Sequence, residues 1–183
     1  DELYGRLEEA APGFDRERLL SVDATFVRLD DTVANREAYE YGPPQKDGCG
    51  YPVVQLVTLK DLGCGAVIET VDSPNREGES PHFSAGLIQH LGPGDTLLAD
   101  RAYCGYHNFV CLNQVGASAL MRLHGTRHTS ALKKCDDTIV TWTKPRRTHV
   151  PAHVTDEQWA EVPAKFTIRL IRSRIEQKGF RSE

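Results

Sequence analysis

The sequence has no apolar run near the roughly 20 residues that a membrane-spanning helix needs, and no leader of the basic–apolar–small type opens it. These two absences exclude a helical membrane protein and suggest the cytoplasm as the compartment. It also has no Cys-x-x-Cys: its five cysteines (49, 64, 104, 111 and 135) are odd in number and scattered. A disulfide scaffold is thereby excluded, and the thiols read as reduced. No charge of one sign dominates, since the net charge is −4. That argues against a surface basic all over, though not against a local basic face. The chain also begins at Asp1 rather than at a methionine, as a piece of a longer protein would.

What is present suits one folded domain. At 183 residues, 39% of them hydrophobic and 26% charged, the chain can bury a sizeable core. Two apolar stretches carry an acid where an acid is unexpected. Thr96–Ala99 reads as a buried strand that stops on Asp100 and continues as Arg101-Ala102-Tyr103, after a Gly92-Pro93-Gly94 turn. Residues 21–29 read as another strand, with Val22, Ala24 and Phe26 on one face and Asp23, Thr25 and Val27 on the other. Aspartate is disfavoured in strands. A strand-borne Asp is most simply a surface residue on an edge strand, and two of them are the beginning of a divalent-metal site.

In chain order, residues 1–20 form a helical lead-in with Leu3, Leu7 and Ala10 at helical spacing, closed by Pro12-Gly13. After the strand at 21–29, Asp31 is placed to cap a short helix from Thr32 onward. Residues 51–60 and 66–71 are two strands joined by a glycine-bearing link. Residues 80–91 are helical, with Ser80 and Pro81 at the start. His82 and His90 on that helix read as surface or packing residues. The strand ending at Asp100 follows, then a helix at 105–115 with Phe109, Leu112 and Val115 on one face, and a strand at 117–123. The order strand, strand, strand, helix, strand, helix, strand matches an α/β, ribonuclease-H-like mixed sheet with flanking helices. In that arrangement the first and fourth strands are neighbours, and Asp23 and Asp100 would converge across 77 positions of sequence.

The texture changes after Leu123. Residues 124–183 read as a β-rich basic insertion, with β-prone Thr138–Thr143, a short helix at 155–161 capped by Thr155, and an alternating strand at 165–177. The division is thus 1–20 lead-in, 21–123 core and 124–183 insertion. Positive charge gathers from position 122 on, while the preceding residues are net acidic. Arg122, Lys144, Arg146, Arg147, Arg169 and Arg172 are the candidates for contacting DNA phosphates; a merely solvated basic face is the competing reading.

These residues carry a family likeness. Val22-Asp23-Ala24-Thr25-x-x-x-Leu29, with Asp31-Thr32-x-x-Asn35, resembles the first-acid region of bacterial insertion-sequence DDE transposases, the class with a β insertion in its ribonuclease-H-like core. Arg76-x-Gly78-Glu79 and Leu97-Leu98-Ala99-Asp100-Arg101-Ala102-Tyr103 resemble the second-acid region, and Ile175-x-x-x-Gly179-Phe180-Arg181 is similar to the segment leading back to the core. The resemblance implies DNA transposition and recombination by a mobile-element enzyme. Asp23 and Asp100 would be catalytic and would hold Mg²⁺ or Mn²⁺, hard ions suited to oxygen ligands. Arg101 and Tyr103 would neighbour the site, and Asp31 and Asn35 would serve structure. The implied partners are double-stranded DNA, as transposon ends and target, and a full-length copy of the transposase.

One family feature is missing. The third acid belongs to a Tyr-x-x-Arg-x-x-x-Glu pattern after the insertion, and that pattern does not occur in these 183 residues. Glu176 and Glu183 do not replace it, so no third catalytic acid is assigned. The expectation is a catalytic-domain fragment, cut short before the catalytic Glu and inactive in strand transfer by itself. The alternative is a non-catalytic remnant that binds DNA or interferes with a full-length copy. A zinc module on His124, His128, His149, His153 and Cys135 is a third reading, disfavoured by Pro151 between the second His pair and by the absence of a cysteine pair.

Overall fold

The computed structural model describes residues 18–39, 41, 50–74, 79–124, 136–147 and 154–172. Three strands come first: β1 (Leu19–Arg28), β2 (Val53–Asp61) and β3 (Val67–Pro74), with the short helix α1 (Val33–Ala38) after β1. Then come α2 (Glu79–Ala85), a 3₁₀ turn at Leu87–His90, β4 (Thr96–Ala99), a second 3₁₀ turn at Arg101–Tyr103, α3 (Tyr106–Gln114) and β5 (Ser118–Met121). The five strands form one sheet in the order β3-β2-β1-β4-β5. β1, β2 and β3 pair antiparallel, whereas β4 and β5 run parallel to β1. This is the ribonuclease-H-like mixed sheet.

Strand alternation decides which side is buried. Leu20 and Val22 of β1, Val57 and Leu59 of β2 and Leu97 of β4 face one side, where Phe83, Leu87 and Leu91 cover them together with Tyr103 and Leu112. Each fully buried side chain of this size contributes about 1.5–3 kcal/mol. On the opposite side the alternate residues Asp23 and Thr25 are exposed, as is Leu120 of β5. The expected apolar face of β1 therefore holds for Val22 and for partly buried Ala24, but not for Phe26, which is 54% exposed. β1 runs past the cover of the helices.

Several expected boundaries shift. β1 begins at Leu19, so a core starting at 21 would cut the strand, and the rest of the expected lead-in lies outside the described residues. The helix expected at 80–91 breaks at Gly86 into α2 and the 3₁₀ turn. A Cβ on Gly86 would lie 3.4 Å from Val71 of β3, so the glycine lets the backbone pass close to the sheet. The cap of α1 is Thr32, whose hydroxyl accepts the Asn35 amide at 3.2 Å. Asp31, expected to cap it, instead takes both nitrogens of the Arg36 fork at 2.6 and 2.7 Å.

Beyond residue 135 the antiparallel strands β6 (Asp137–Thr143) and β7 (Lys165–Ile171) make a separate two-stranded sheet. Between them lies α4 (Asp156–Glu161), capped as expected by Thr155 in a reciprocal box with Gln158. The ribbon half-buries one side, Val140/Ile168 and Trp142/Phe166, and shows Thr141/Thr167 outward. α3 joins it to the core. Leu112 belongs to the first core, while Tyr106 and Val110 pack with Val154, Trp159 and Val162. Tyr106 meets Trp159 and Phe166 edge-on at 6.5 and 6.3 Å, and its hydroxyl donates to the Pro163 carbonyl at 2.7 Å. The expected single apolar face of this helix is thus two faces, because two cores claim it. Among the described residues no helix is long and apolar enough to cross a membrane.

Candidate metal and nucleic-acid site

The parallel pairing of β1 with β4 runs from Leu19↔Thr96 to Val22↔Ala99, a constant offset of 77. Asp23 is the next residue of β1, and Asp100 is the first residue after β4 and the cap of the 3₁₀ turn. The register therefore ends one residue before each acid and leaves both at the same end of the β1–β4 pairing. Asp100 follows the carboxyl end of β4, the side where open α/β sheets bind ligands, whereas Asp23 lies in the middle of β1, which runs on to Arg28. β5 extends the row: Met121 pairs with Ala99, and the next residue, Arg122, donates its amide to the Ala99 carbonyl at 3.3 Å. Two acids and an arginine thus lie at one end of these pairings.

Both carboxylates are exposed, and each has one oxygen engaged locally. Asp23 Oδ1 accepts the Ala24 amide at 2.9 Å. Asp100 Oδ1 accepts the Ala102 amide at 2.7 Å, which makes it the cap of the 3₁₀ turn that follows. Among the described residues, no hydrogen bond reaches either Oδ2. On the open side of the sheet, Asp23 is opposite Thr58, whose hydroxyl is 3.2 Å from that of Thr70. Hard oxygen donors of this kind fit Mg²⁺ or Mn²⁺. Among the described residues no group of three or more His, Cys, Asp or Glu side chains gathers to hold a metal, so the fit extends to two carboxylates.

The register itself is clamped at the other end. Arg18 donates to both carboxylate oxygens of Asp95 at 2.9 and 2.5 Å and to the His90 carbonyl at 3.0 Å, while Asp95 also accepts the Gly92 amide at 2.8 Å. This pair has the same 77-residue offset as the two site acids. Nothing in the spacing of the sequence distinguishes Asp95 from an ordinary turn aspartate; only its burial and its partner do.

The neighbours behave differently from one another. Arg101 is exposed. The Tyr103 ring is fully buried, edge-on to Phe83 at 5.8 Å, so it anchors the turn from below and cannot touch a substrate. Asp31 and Asn35 build the α1 corner: Asn35 donates to the Asp30 carbonyl at 2.9 Å, and hydrogen bonding from Arg36 lowers the Asp31 carboxyl below the usual range.

A sequence model of the family described as "Transposase DDE domain" matches residues 15–178. The chain belongs to that family. No curated protein matches this DDE domain in sequence. Solved structures similar to it include the piggyBac transposase synaptic complex with hairpin DNA, at 10% identity and a TM-score of 0.45, covering 70% of this chain and 31% of that one. The Mos1 transposase paired-end complex with left transposon end is 11% identical with a TM-score of 0.39, covering 68% of this chain and 40% of that one. The simian T-cell lymphotropic virus intasome in complex with PP2A regulatory subunit B56 gamma is 16% identical with a TM-score of 0.40, covering 60% and 33%. The DDE domain thus spans two-fifths or less of each.

Most of the candidate phosphate-binding cations of the DDE domain have intramolecular partners. Lys144 donates to the carbonyls of Trp159 and Val162 at 2.5 and 2.8 Å and lies 4.8 Å from the Trp159 ring centroid, closing the end of α4. Arg147 pairs with Asp156 at 2.6 Å and bonds the Val154 carbonyl. Arg169 holds Asp137 through two bonds, and Arg172 is 3.5 Å from Asp136. Arg122 and Arg146 are exposed. Of the zinc-module residues, His124 is exposed, and the other four lie outside the described residues.

Proposed function

We propose that this DDE domain supplies part of a two-metal phosphodiester-transfer site, with Asp23 and Asp100 as two of its carboxylates. The observation that supports the reading is the β1–β4 register, which ends one residue before each acid. Bound divalent ions would activate an attacking water or 3′-hydroxyl and stabilise the leaving oxygen in an in-line displacement. The chain's own contribution is placement. The strands fix the two carboxylates, each with one oxygen outside its local hydrogen bond. The 3₁₀ turn holds Asp100 at the strand end, and Arg122 at the same edge offers a cation to a phosphate. Two carboxylates under-ligate a metal pair, and the pattern that would supply a glutamate is absent from the sequence. By itself the chain is therefore expected to perform no strand transfer.

The substrate in this reading is double-stranded DNA, as transposon ends and target. Arg146 and Arg101, both exposed, are its foremost phosphate contacts, and Arg122 adds its charge at the sheet edge. Lys144, Arg147, Arg169 and Arg172 contribute to the field of the ribbon but spend their donors on the fold. The two separate sheets support a core ending near 123 and an insertion beyond it. A full-length copy is the proposed protein partner, and a cytoplasmic location goes with a DNA substrate. The non-catalytic alternative shares everything but the metal. Titration of the chain with Mn²⁺, followed by water-proton relaxation, separates the two. Binding that weakens at least tenfold in both Asp23→Ala and Asp100→Ala supports the metal reading. Binding unchanged in both variants overturns it.

A further inference from the structure

Asn108 is 1% exposed, on the first turn of α3. Its Nδ2 donates to the Tyr103 carbonyl and to the Ser80 hydroxyl, both at 2.9 Å. Since the Tyr103 carbonyl can only accept, the orientation of the amide is fixed. Its Oδ1 is buried without a hydrogen-bond partner. A buried unpaired acceptor costs about 1–3 kcal/mol, and an apolar side chain of the same size would avoid that cost. The amide is therefore present for its two donated bonds, and both lead toward the site. The Tyr103 carbonyl, which also accepts the Gly105 amide at 2.7 Å, ends the 3₁₀ turn whose cap is Asp100. The turn's opening is fixed by the Asp100 carboxylate on the Ala102 amide and by the Tyr103 amide on the Asp100 carbonyl at 3.3 Å. Ser80 lies in the first turn of α2, so one side chain ties α2, α3 and the Asp100 turn together.

We propose that Asn108 is a positioning residue, which sets the Asp100 carboxylate by holding the far end of its turn. Its consequence for metal binding rests on the proposed role of Asp100; its consequence for the turn does not. Asn108→Leu keeps the branched shape of the side chain and removes both donors together with the unpaired acceptor. Asn108→Ser, smaller and polar, serves as a second variant should leucine not fit. Hydrogen exchange is read at the Ala102 and Tyr103 amides, with Val22 and Val57 as core controls, alongside Mn²⁺ titration. The expected result is at least tenfold faster exchange in the turn, unchanged exchange in the core and several-fold weaker Mn²⁺ binding. Wild-type exchange at Ala102 and Tyr103 in a folded variant overturns the proposal whatever the metal does. Faster exchange with wild-type Mn²⁺ affinity overturns the link to metal binding. Asp100→Ala then shows which premise failed: if it abolishes binding, Asn108 does not position the ligand, and if it does not, Asp100 is no ligand.

Discussion

Replacing Asp95 by alanine should destabilise the domain by about 2–4 kcal/mol. The carboxylate is nearly fully buried, and it accepts two bonds from Arg18 and one from the Gly92 amide. Breaking a buried ion pair from one side typically costs about 3–5 kcal/mol, because a charge is left without its partner. The Arg18 side chain keeps 23% of its exposure, so water can solvate the stranded guanidinium in part, and the loss from the pair falls below that range, to about 1–3 kcal/mol. The lost bond to the Gly92 amide adds about 1 kcal/mol. In urea unfolding, with a slope of about 2 kcal/mol per M, the midpoint should fall by roughly 1–2 M. A double-mutant cycle with Arg18→Ala isolates the pair: the double variant should be more stable than the sum of the single losses implies, with about 1–3 kcal/mol of coupling. A loss below about 0.5 kcal/mol in Asp95→Ala, or additive singles, would refute the clamp. The clamp matters to function because it pins the β1–β4 register at the opposite end from Asp23 and Asp100.

The two classes of cation should separate in DNA binding. Arg146→Gln should reduce the slope of log affinity against log salt by about 1, whereas Lys144→Gln should leave that slope unchanged and lower the melting temperature, since its ammonium closes α4. Trp159→Ala should cost about 3–5 kcal/mol of local packing, seen as protease cleavage within the ribbon while the first core, which does not include Trp159, keeps its protection. Hydrogen bonding from Arg169 lowers the Asp137 carboxyl below its ordinary 3.8. That pair therefore contributes in full above about pH 4 and is lost as pH falls through the depressed value, a small effect because the pair is exposed and salt-screened. Acid titration by NMR should show Asp137 protonating below pH 3.8, and Arg169→Gln should return it toward that value.

The core was legible because its signals are local. Thr96–Ala99 is short, apolar and bounded by turn residues, and β4 occupies those four positions. The order of elements then implied that the first and fourth strands are neighbours, and the sheet has that order. What stayed hidden depends on long-range partners. Asp95 reads as a turn residue until Arg18 is found against it. Asn108 lies off the apolar face of its helix expected from Phe109, Leu112 and Val115, and only its contacts with Ser80 and the Asp100 turn single it out. Lys144 counts as free charge in any composition and becomes a helix cap only when β6 lies beside α4. Asp31 failed as a cap for a more local reason: Thr32 is one residue nearer the helix, and Arg36 is within reach of the acid.

The proposed role of Asp23 and Asp100 is to bind divalent metal at one shared site. Iron-directed cleavage tests it most directly. Fe²⁺ with ascorbate and peroxide cuts a polypeptide beside the bound ion, and the fragments are read by mass spectrometry. The account predicts cuts at both 23 and 100 in the wild-type chain, suppressed by excess Mg²⁺ and lost at both positions in Asp23→Ala or Asp100→Ala. Cuts at only one of the two positions, or at neither, would contradict it.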